Sequence, residues 1–166
     1  MENLAPLLSV WLAFGLGGAI GIERELAGKP AGLRTNMLVA GAAAFFVHLN
    51  DLLVERAASD AIRMTGVRAD ATRVIEAVVT GVSFIGAGTI LRKTSELEVE
   101  GLTTAATLLF TASVGMAAAL DAPWLGVSVT LAVLVTLRFV GLIEDRLTKR
   151  LRRMAEAEAV SKDPPP

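Results

Sequence analysis

Long apolar stretches separated by short polar segments make up most of the chain. Residues 4–22 carry no charged side chain, and a helix needs about 20 apolar residues to cross a hydrocarbon core about 30 Å thick. Four stretches of similar character follow, at residues 37–54, 74–91, 102–120 and 124–143. This pattern predicts an all-α fold, an integral membrane bundle of about five transmembrane helices.

Lysine and arginine are distributed unevenly between the predicted loops. The first loop, the third loop and the C-terminal tail carry 11 of them, against 4 on the opposite side. Basic side chains resist translocation and therefore accumulate in cytoplasmic loops. We therefore expect the N-terminus outside and the C-terminus inside. Residues 1–143 would form the transmembrane domain, and residues 144–166 a basic cytoplasmic tail that is partly disordered.

Composition excludes several kinds of chemistry. Apolar residues make up 53% of the chain and mean hydropathy is +0.57, while the net charge is only −1. A near-neutral chain has no overall attraction for nucleic acid. There are no cysteines and a single histidine, His48, so thiolate chemistry and two-histidine metal motifs are absent from the sequence. We expect a protein that is not an enzyme and holds no resident cofactor.

Small residues recur inside the predicted spans. Glycines four residues apart let two helix backbones approach closely in a membrane. The first span has such a pair, which could pack within one chain or between chains of a homo-oligomer. The third span holds glycines that could mark close packing or a broken helix lining a cavity. The residues singled out for packing or a cavity are Gly17, Gly21, Gly81, Gly86, Gly88, Thr103 and Thr104.

Two acidic residues lie toward the same ends of the second and third spans. Asp51 and Glu76 could approach each other or Arg73. Magnesium is commonly bound through one or two carboxylates together with water, so the two carboxylates form a weak candidate metal site. The alternative is an interfacial ion pair or simple solvation.

A short polar loop follows the first span. Mixed charges next to glycine and proline indicate a defined turn that could bind a partner, an anion or a metal ion. The alternative is a charge-paired loop that anchors the helix ends. The candidate functional residues of this loop are Glu23, Arg24, Glu25, Gly32, Arg34, Thr35 and Asn36.

At these positions the sequence resembles the MgtC/SapB family of bacterial membrane proteins. Three ordered blocks carry the resemblance. They are Gly-Ile-Glu-Arg-Glu at 21–25 continuing through Pro-Ala-Gly-Leu-Arg-Thr-Asn at 30–36, residues 73–81 with Phe-Ile-Gly-Ala-Gly-Thr-Ile at 84–90, and Gly-Leu-Thr-Thr-Ala-Ala-Thr at 101–107. MgtC itself carries a soluble C-terminal domain, where this chain has its short basic tail.

The resemblance implies a multi-pass protein of the bacterial inner membrane. It links the chain to magnesium homeostasis and low-magnesium adaptation, in a family associated with virulence. The family role is regulatory, with the ATP synthase or small membrane peptides as partners besides membrane lipid. Two alternatives stay open: a magnesium or divalent-cation transporter or channel subunit, with Mg²⁺ as ligand or substrate, and a structural membrane scaffold.

Overall fold

The computed structural model describes residues 4–61, 71–92 and 99–141. These residues form the helices α1 (Ala5–Leu26), α2 (Leu33–Ala61), α3 (Ala71–Gly88), α4 (Leu102–Ala119) and α5 (Pro123–Val135). The last helix continues as the π-helical segment Thr136–Val140, and a two-residue antiparallel ladder, β1 (Leu91–Arg92) with β2 (Val99–Glu100), lies between α3 and α4. The predicted all-α fold of five helices is confirmed.

Four of the described helices are long and apolar enough to cross a membrane. They are Ala5–Leu26, Leu33–Arg56, Leu102–Ala119 and Pro123–Val140. The helix α3 has 18 residues, about 27 Å at a rise of 1.5 Å per residue. It is not among the four, and Arg73 and Glu76 lie in its first two turns. The chain is therefore a multi-pass membrane protein, and the orientation of its termini stays a prediction.

The helix α4 lies at the centre of the bundle. It packs against α1, α2 and α3, and α1 also packs along α2. It is the most buried of the four candidate spans. Its buried face is rich in threonine, alanine and glycine, because short side chains let three neighbouring helices approach one helix at once.

Small side chains fill the core of the bundle and large apolar side chains lie on its surface, the reverse of the distribution in a water-soluble protein. The hydrophobic core is mostly alanine and valine, with Ala13, Ala40 and Ala44 fully buried. Large apolar side chains such as Trp11 and Phe84 are exposed. Lipid solvates large apolar side chains as well as a protein interior does, so close backbone packing rather than hydrophobic burial determines what lies inside.

The chain divides into two compact units. The first comprises residues 1–133 and contains α1 to α4 and most of α5. The second comprises residues 134–166, of which residues 134–141 complete the last helix. The predicted tail at 144–166 lies outside the described residues.

Candidate functional site

The helix α1 ends in a Schellman turn that starts the candidate loop. The amide of Lys29 donates to the carbonyl of Arg24 at 3.0 Å, and the amide of Gly28 donates to the carbonyl of Glu25 at 3.0 Å. Gly28 adopts φ +66°, a left-handed conformation that costs glycine little. The chain therefore leaves α1 in a fixed direction.

A buried ion pair lies in the last turn of α1. Arg24 donates from Nε to Glu23 Oε2 at 2.5 Å and from Nη2 to Glu23 Oε1 at 2.8 Å. The Arg24 side chain is 4% exposed and that of Glu23 is 15% exposed. A guanidinium fork matches the two oxygens of a carboxylate, and a cation is stabilised near the negative C-terminal end of a helix dipole. The pair therefore neutralises the buried guanidinium within the last turn of α1.

The start of α2 is capped by a side chain of α1. The carboxylate of Glu25 accepts a hydrogen bond from the backbone amide of Leu33 at 2.8 Å. The first amides of a helix have no partner within the helix, so an acceptor there stabilises it. A Cβ added at Gly32 would lie 2.8 Å from that carboxylate. Glycine therefore lets the Glu25 carboxylate reach the amide.

Asn36 ties the loop to the centre of the bundle. Its Nδ2 donates to the carbonyls of Ala31 at 2.8 Å and Gly32 at 2.9 Å. The hydroxyl of Thr111, on α4, donates to Asn36 Oδ1 at 2.8 Å. Asn36 and Thr111 are both fully buried, where an unpaired polar group would be costly. These bonds fix the α1–α2 loop against α4.

The outer surface of this loop carries exposed cations. Lys29 and Arg34 are exposed, whereas Thr35 is half-buried. The structure thus separates the predicted loop residues into groups. Glu25, Gly32 and Asn36 hold the loop together, Glu23 and Arg24 pair within the last turn of α1, and Arg34 is exposed, as is Lys29. We call the exposed side of residues 28–34 the basic turn.

The glycine pair of α1 packs against α2 of the same chain. A Cβ at Gly17 would lie 2.5 Å from the carbonyl oxygen of Asn36, and a Cβ at Gly21 would lie 2.7 Å from Leu33 Cα. On α4, a Cβ at Gly115 would overlap the carbonyl of Ala40. Backbones therefore touch where α1, α2 and α4 meet, and the seam between these three helices is closed at those levels.

The three glycines of α3 differ in their surroundings. A Cβ at Gly86 would lie 3.3 Å from Ala105 Cβ, so Gly86 marks the close approach of α3 and α4. Gly81 and Gly88 have no atom within 4 Å of an added Cβ. Gly88 is the last residue of α3, and Gly81 lines a cleft between α2 and α3. Only Gly86 therefore lies in a close helix contact.

The two threonines singled out on α4 also differ. Thr104 is 2% exposed. Thr103 is exposed, and its carbonyl accepts a hydrogen bond from the hydroxyl of Thr107 at 2.7 Å. The first therefore belongs to the packed interior, and the second lies on the outer face of α4.

The acidic pair Asp51 and Glu76 is exposed. Asp51 lies on α2 and Glu76 on α3. Within residues 4–61, 71–92 and 99–141, no three His, Cys, Asp or Glu side chains gather where they could hold a metal ion. The metal assignment of these two carboxylates stays a prediction.

Two features of the structure were not found from the sequence. Ser9 Oγ donates to the carbonyl of Pro6 at 2.9 Å and lies 2.5 Å from Nε2 of His48. The direction of the Ser9–His48 hydrogen bond follows from which imidazole nitrogen carries the proton. The second feature is the cleft between α2 and α3. The sequence contains a pattern that could have indicated this cleft: the lining positions 74, 77, 78, 81, 82 and 85 follow Arg73 at helical spacing and therefore lie on one face of α3.

Comparison with known proteins places these features in a family. A family model described as the MgtC family matches residues 10–146. The chain belongs to the MgtC family. The family match covers α2, α3 and α4 entirely, together with most of α1, so the basic turn and the closed seam are features of an MgtC-family domain.

Several longer relatives resemble parts of the chain. The Escherichia coli K12 protein YhiD, whose name marks it as a candidate magnesium transporter, is 42% identical over 99 residues, which cover 60% of this chain and 43% of YhiD. An uncharacterized Haemophilus influenzae protein is 33% identical over 152 residues, which cover 92% of this chain and 62% of that protein. Protein MgtC of Brucella abortus is 43% identical over 104 residues, which cover 63% of this chain and 38% of MgtC. No solved structure matches the chain.

Proposed function

We propose that this MgtC-family chain is a non-enzymatic regulator in the bacterial inner membrane, linked to magnesium homeostasis and low-magnesium adaptation. Its basic turn would be the surface that contacts a membrane partner. The link to magnesium rests on the family and on the name of the E. coli relative. Since the chain spans 43% of YhiD and 38% of the Brucella MgtC, the activities of those longer proteins come to it only as part of this proposal.

The rigid construction of the basic turn is the observation that carries the proposal. The Schellman turn, the Glu25 cap and the Asn36 hydrogen bonds fix the backbone around Lys29 and Arg34. Exposed charges on a fixed backbone suit recognition, because little conformational freedom is lost on binding. A partner with an acidic segment near the membrane surface fits this turn. The ATP synthase, a small membrane peptide or a second copy of the chain are the candidate partners.

A transporter or channel subunit is the second candidate. The name of the E. coli relative favours it. The closed packing of Gly17 on Asn36 and of Gly115 on Ala40 opposes a conducting path along the α1–α2–α4 seam. A route through Asp51 and Glu76, which are exposed on α2 and α3, would have to run outside that seam or between protomers. A structural scaffold, the third candidate, predicts partner binding that survives the loss of Glu23, Glu25, Asp51 and Glu76.

Growth of bacteria in low magnesium tests the regulatory role of the basic turn. The test compares wild type with Arg34→Ala in a strain whose growth in low magnesium depends on this gene. Arg34 is exposed, so its truncation removes a surface cation and should leave the fold unchanged. We expect Arg34→Ala to lose growth in low magnesium at normal protein levels.

The matched control is Arg138→Ala, which removes another exposed arginine, far along the sequence in the π-helical segment. Glu23→Ala is a less clean test, because it leaves Arg24 buried without its carboxylate, a change expected to lower protein levels. Growth of Arg34→Ala equal to wild type, at equal protein levels, would show that the basic turn has no such role.

A further inference from the structure

An apolar cleft separates α2 from α3. It has a volume of about 630 Å³, within the range of roughly 300 to 1,000 Å³ that is usual for small-molecule sites. Val39, Ala42 and Phe46 of α2 and Val78 and Val82 of α3 form parts of its walls. Both helices belong to the same compact unit, so the cleft is a feature within one packed body.

One end of the cleft is polar. Arg73, in the first turn of α3, and Asn50, on α2, both line it. Arg73 is exposed, and no hydrogen bond or ion pair joins its side chain to another of the described residues. Asp51 and Glu76 are close in sequence to these two residues but do not line the cleft. Among the described residues this guanidinium has no carboxylate partner, so it is available to an anion at the mouth of an apolar cleft.

The dimensions of the cleft fit one leaflet of a bilayer. From Arg73 to Ile85, the ends of the lining stretch on α3, twelve residues at about 1.5 Å each give roughly 18 Å. Half of a hydrocarbon core about 30 Å thick is about 15 Å. Long basic side chains near helix ends reach toward the interface. Arg73 would then lie at headgroup level, with the apolar walls extending into the acyl region.

We propose that this cleft binds one acyl chain of an anionic phospholipid, whose phosphate is held by Arg73 with the Asn50 amide as a second donor. A guanidinium pairs well with phosphate oxygens, because its planar donors match them two at a time. The proposal goes beyond the regulatory function and does not depend on it.

A second copy of the chain fits this cleft less well than a lipid. Most oligomers are symmetric, and a two-fold contact places the same surface on both partners. A two-fold axis along the membrane normal would place the Arg73 side chains of both copies at the same membrane level. No Asp or Glu is among the described residues that line the cleft, so neither arginine would gain a carboxylate partner there. A phospholipid supplies both a phosphate to pair with Arg73 and an acyl chain to contact the apolar walls of the cleft.

Lipid titration of the purified full chain tests the site. The protein is delipidated in mild detergent, and native mass spectrometry follows binding of phosphatidylglycerol and of phosphatidylcholine. Arg73→Gln removes the charge, and Gly81→Leu fills the cleft at a position where an added Cβ has no atom within 4 Å. Gly15→Leu is the matched control for bulk, since Gly15 of α1 is equally open. Arg138→Gln is the control for charge.

We expect wild type to bind phosphatidylglycerol more tightly than phosphatidylcholine. Arg73→Gln should weaken phosphatidylglycerol binding about tenfold, because a charge-assisted hydrogen bond is lost, and should abolish the preference. Gly81→Leu should weaken both lipids, and both controls should bind as wild type does.

Equal binding by all five proteins would overturn the proposal. So would a loss of dimers, rather than of bound lipid, in Gly81→Leu, because the cleft would then be an interface between protomers. Competition by free glycerol phosphate as strong as that by the lipid would also overturn it, since the acyl chain would then contribute nothing.

Discussion

At the scale of single residues, buried polar groups connect parts of the chain that are far apart in sequence. Thr111 and Asn36 are separated by 75 positions, yet the threonine hydroxyl donates to the asparagine carbonyl at 2.8 Å. Both are fully buried. Hydrogen bonds between membrane helices stabilise by about 0.6 kcal/mol on average, and a buried acceptor left without a donor costs more.

Thr111→Val tests this bond. The substitution keeps the shape of the side chain but leaves Asn36 Oδ1 without its donor, so we expect a loss of about 1 kcal/mol in the free energy of unfolding. Thr111→Ser, which keeps the hydroxyl, should lose less. Unfolding of the purified protein by a denaturing detergent measures both. A Thr111→Val protein as stable as wild type would show that the bond is dispensable.

At the scale of elements, close backbone contact determines how the helices pack. Gly115 of α4 lies against the backbone of Ala40 on α2, whereas Gly15 of α1 has no atom within 4 Å of an added Cβ. The two glycines are alike in the sequence pattern and differ only in their neighbours. Their substitution should therefore have opposite effects.

Gly115→Ala should destabilise the bundle by about 1 to 3 kcal/mol, the usual cost of overpacking. Gly15→Ala should be neutral or stabilising by up to about 1 kcal/mol, because alanine favours a helix over glycine. Detergent unfolding compares the two proteins directly. Equal stabilities would contradict the close α2–α4 contact.

The comparison with sequence-based expectation is also clearest for elements. Apolar length predicted each helix, because a mostly apolar stretch of about 20 residues has few structural options in lipid. The start of α2 at Leu33 was not predicted, since it depends on the Glu25 side chain reaching across the loop. Nor was its continuation to Ala61, because His48, Asn50 and Asp51 interrupt the apolar pattern without breaking the helix.

The candidate site could be predicted only in part. The sequence indicated a defined turn at residues 23–36, since charges there flank glycine and proline. It could not show that Arg24 is buried against Glu23 while Arg34 is exposed, because that depends on which helix face meets α2 and α4. The α2–α3 cleft was missed for the same reason.

At the scale of the whole molecule, the excess of basic residues predicts how the chain is oriented. The basic turn should face the cytoplasm, and the turn at Asp121 between α4 and α5 should face outward. Because the sequence has no cysteine, single-cysteine variants can be made without first replacing a native cysteine.

Labelling of intact cells with a thiol reagent that does not cross membranes tests this orientation. Both positions are exposed, so orientation alone should decide the result. We expect Asp121→Cys to be labelled and Lys29→Cys to be labelled only after the membrane is opened. The reverse pattern would invert the orientation and would place the basic turn away from cytoplasmic partners.

The regulatory account also makes a claim about the whole molecule: a closed α1–α2–α4 seam should not conduct magnesium. The direct measurement uses protein shown to be folded and inserted in liposomes that contain a magnesium-sensitive dye, with an ionophore as positive control. Under a magnesium gradient, we expect wild type, Glu76→Ala and Glu23→Ala to admit no more magnesium than protein-free liposomes. Magnesium entry that wild type supports and either substitution abolishes would contradict the regulatory account and establish a transporter.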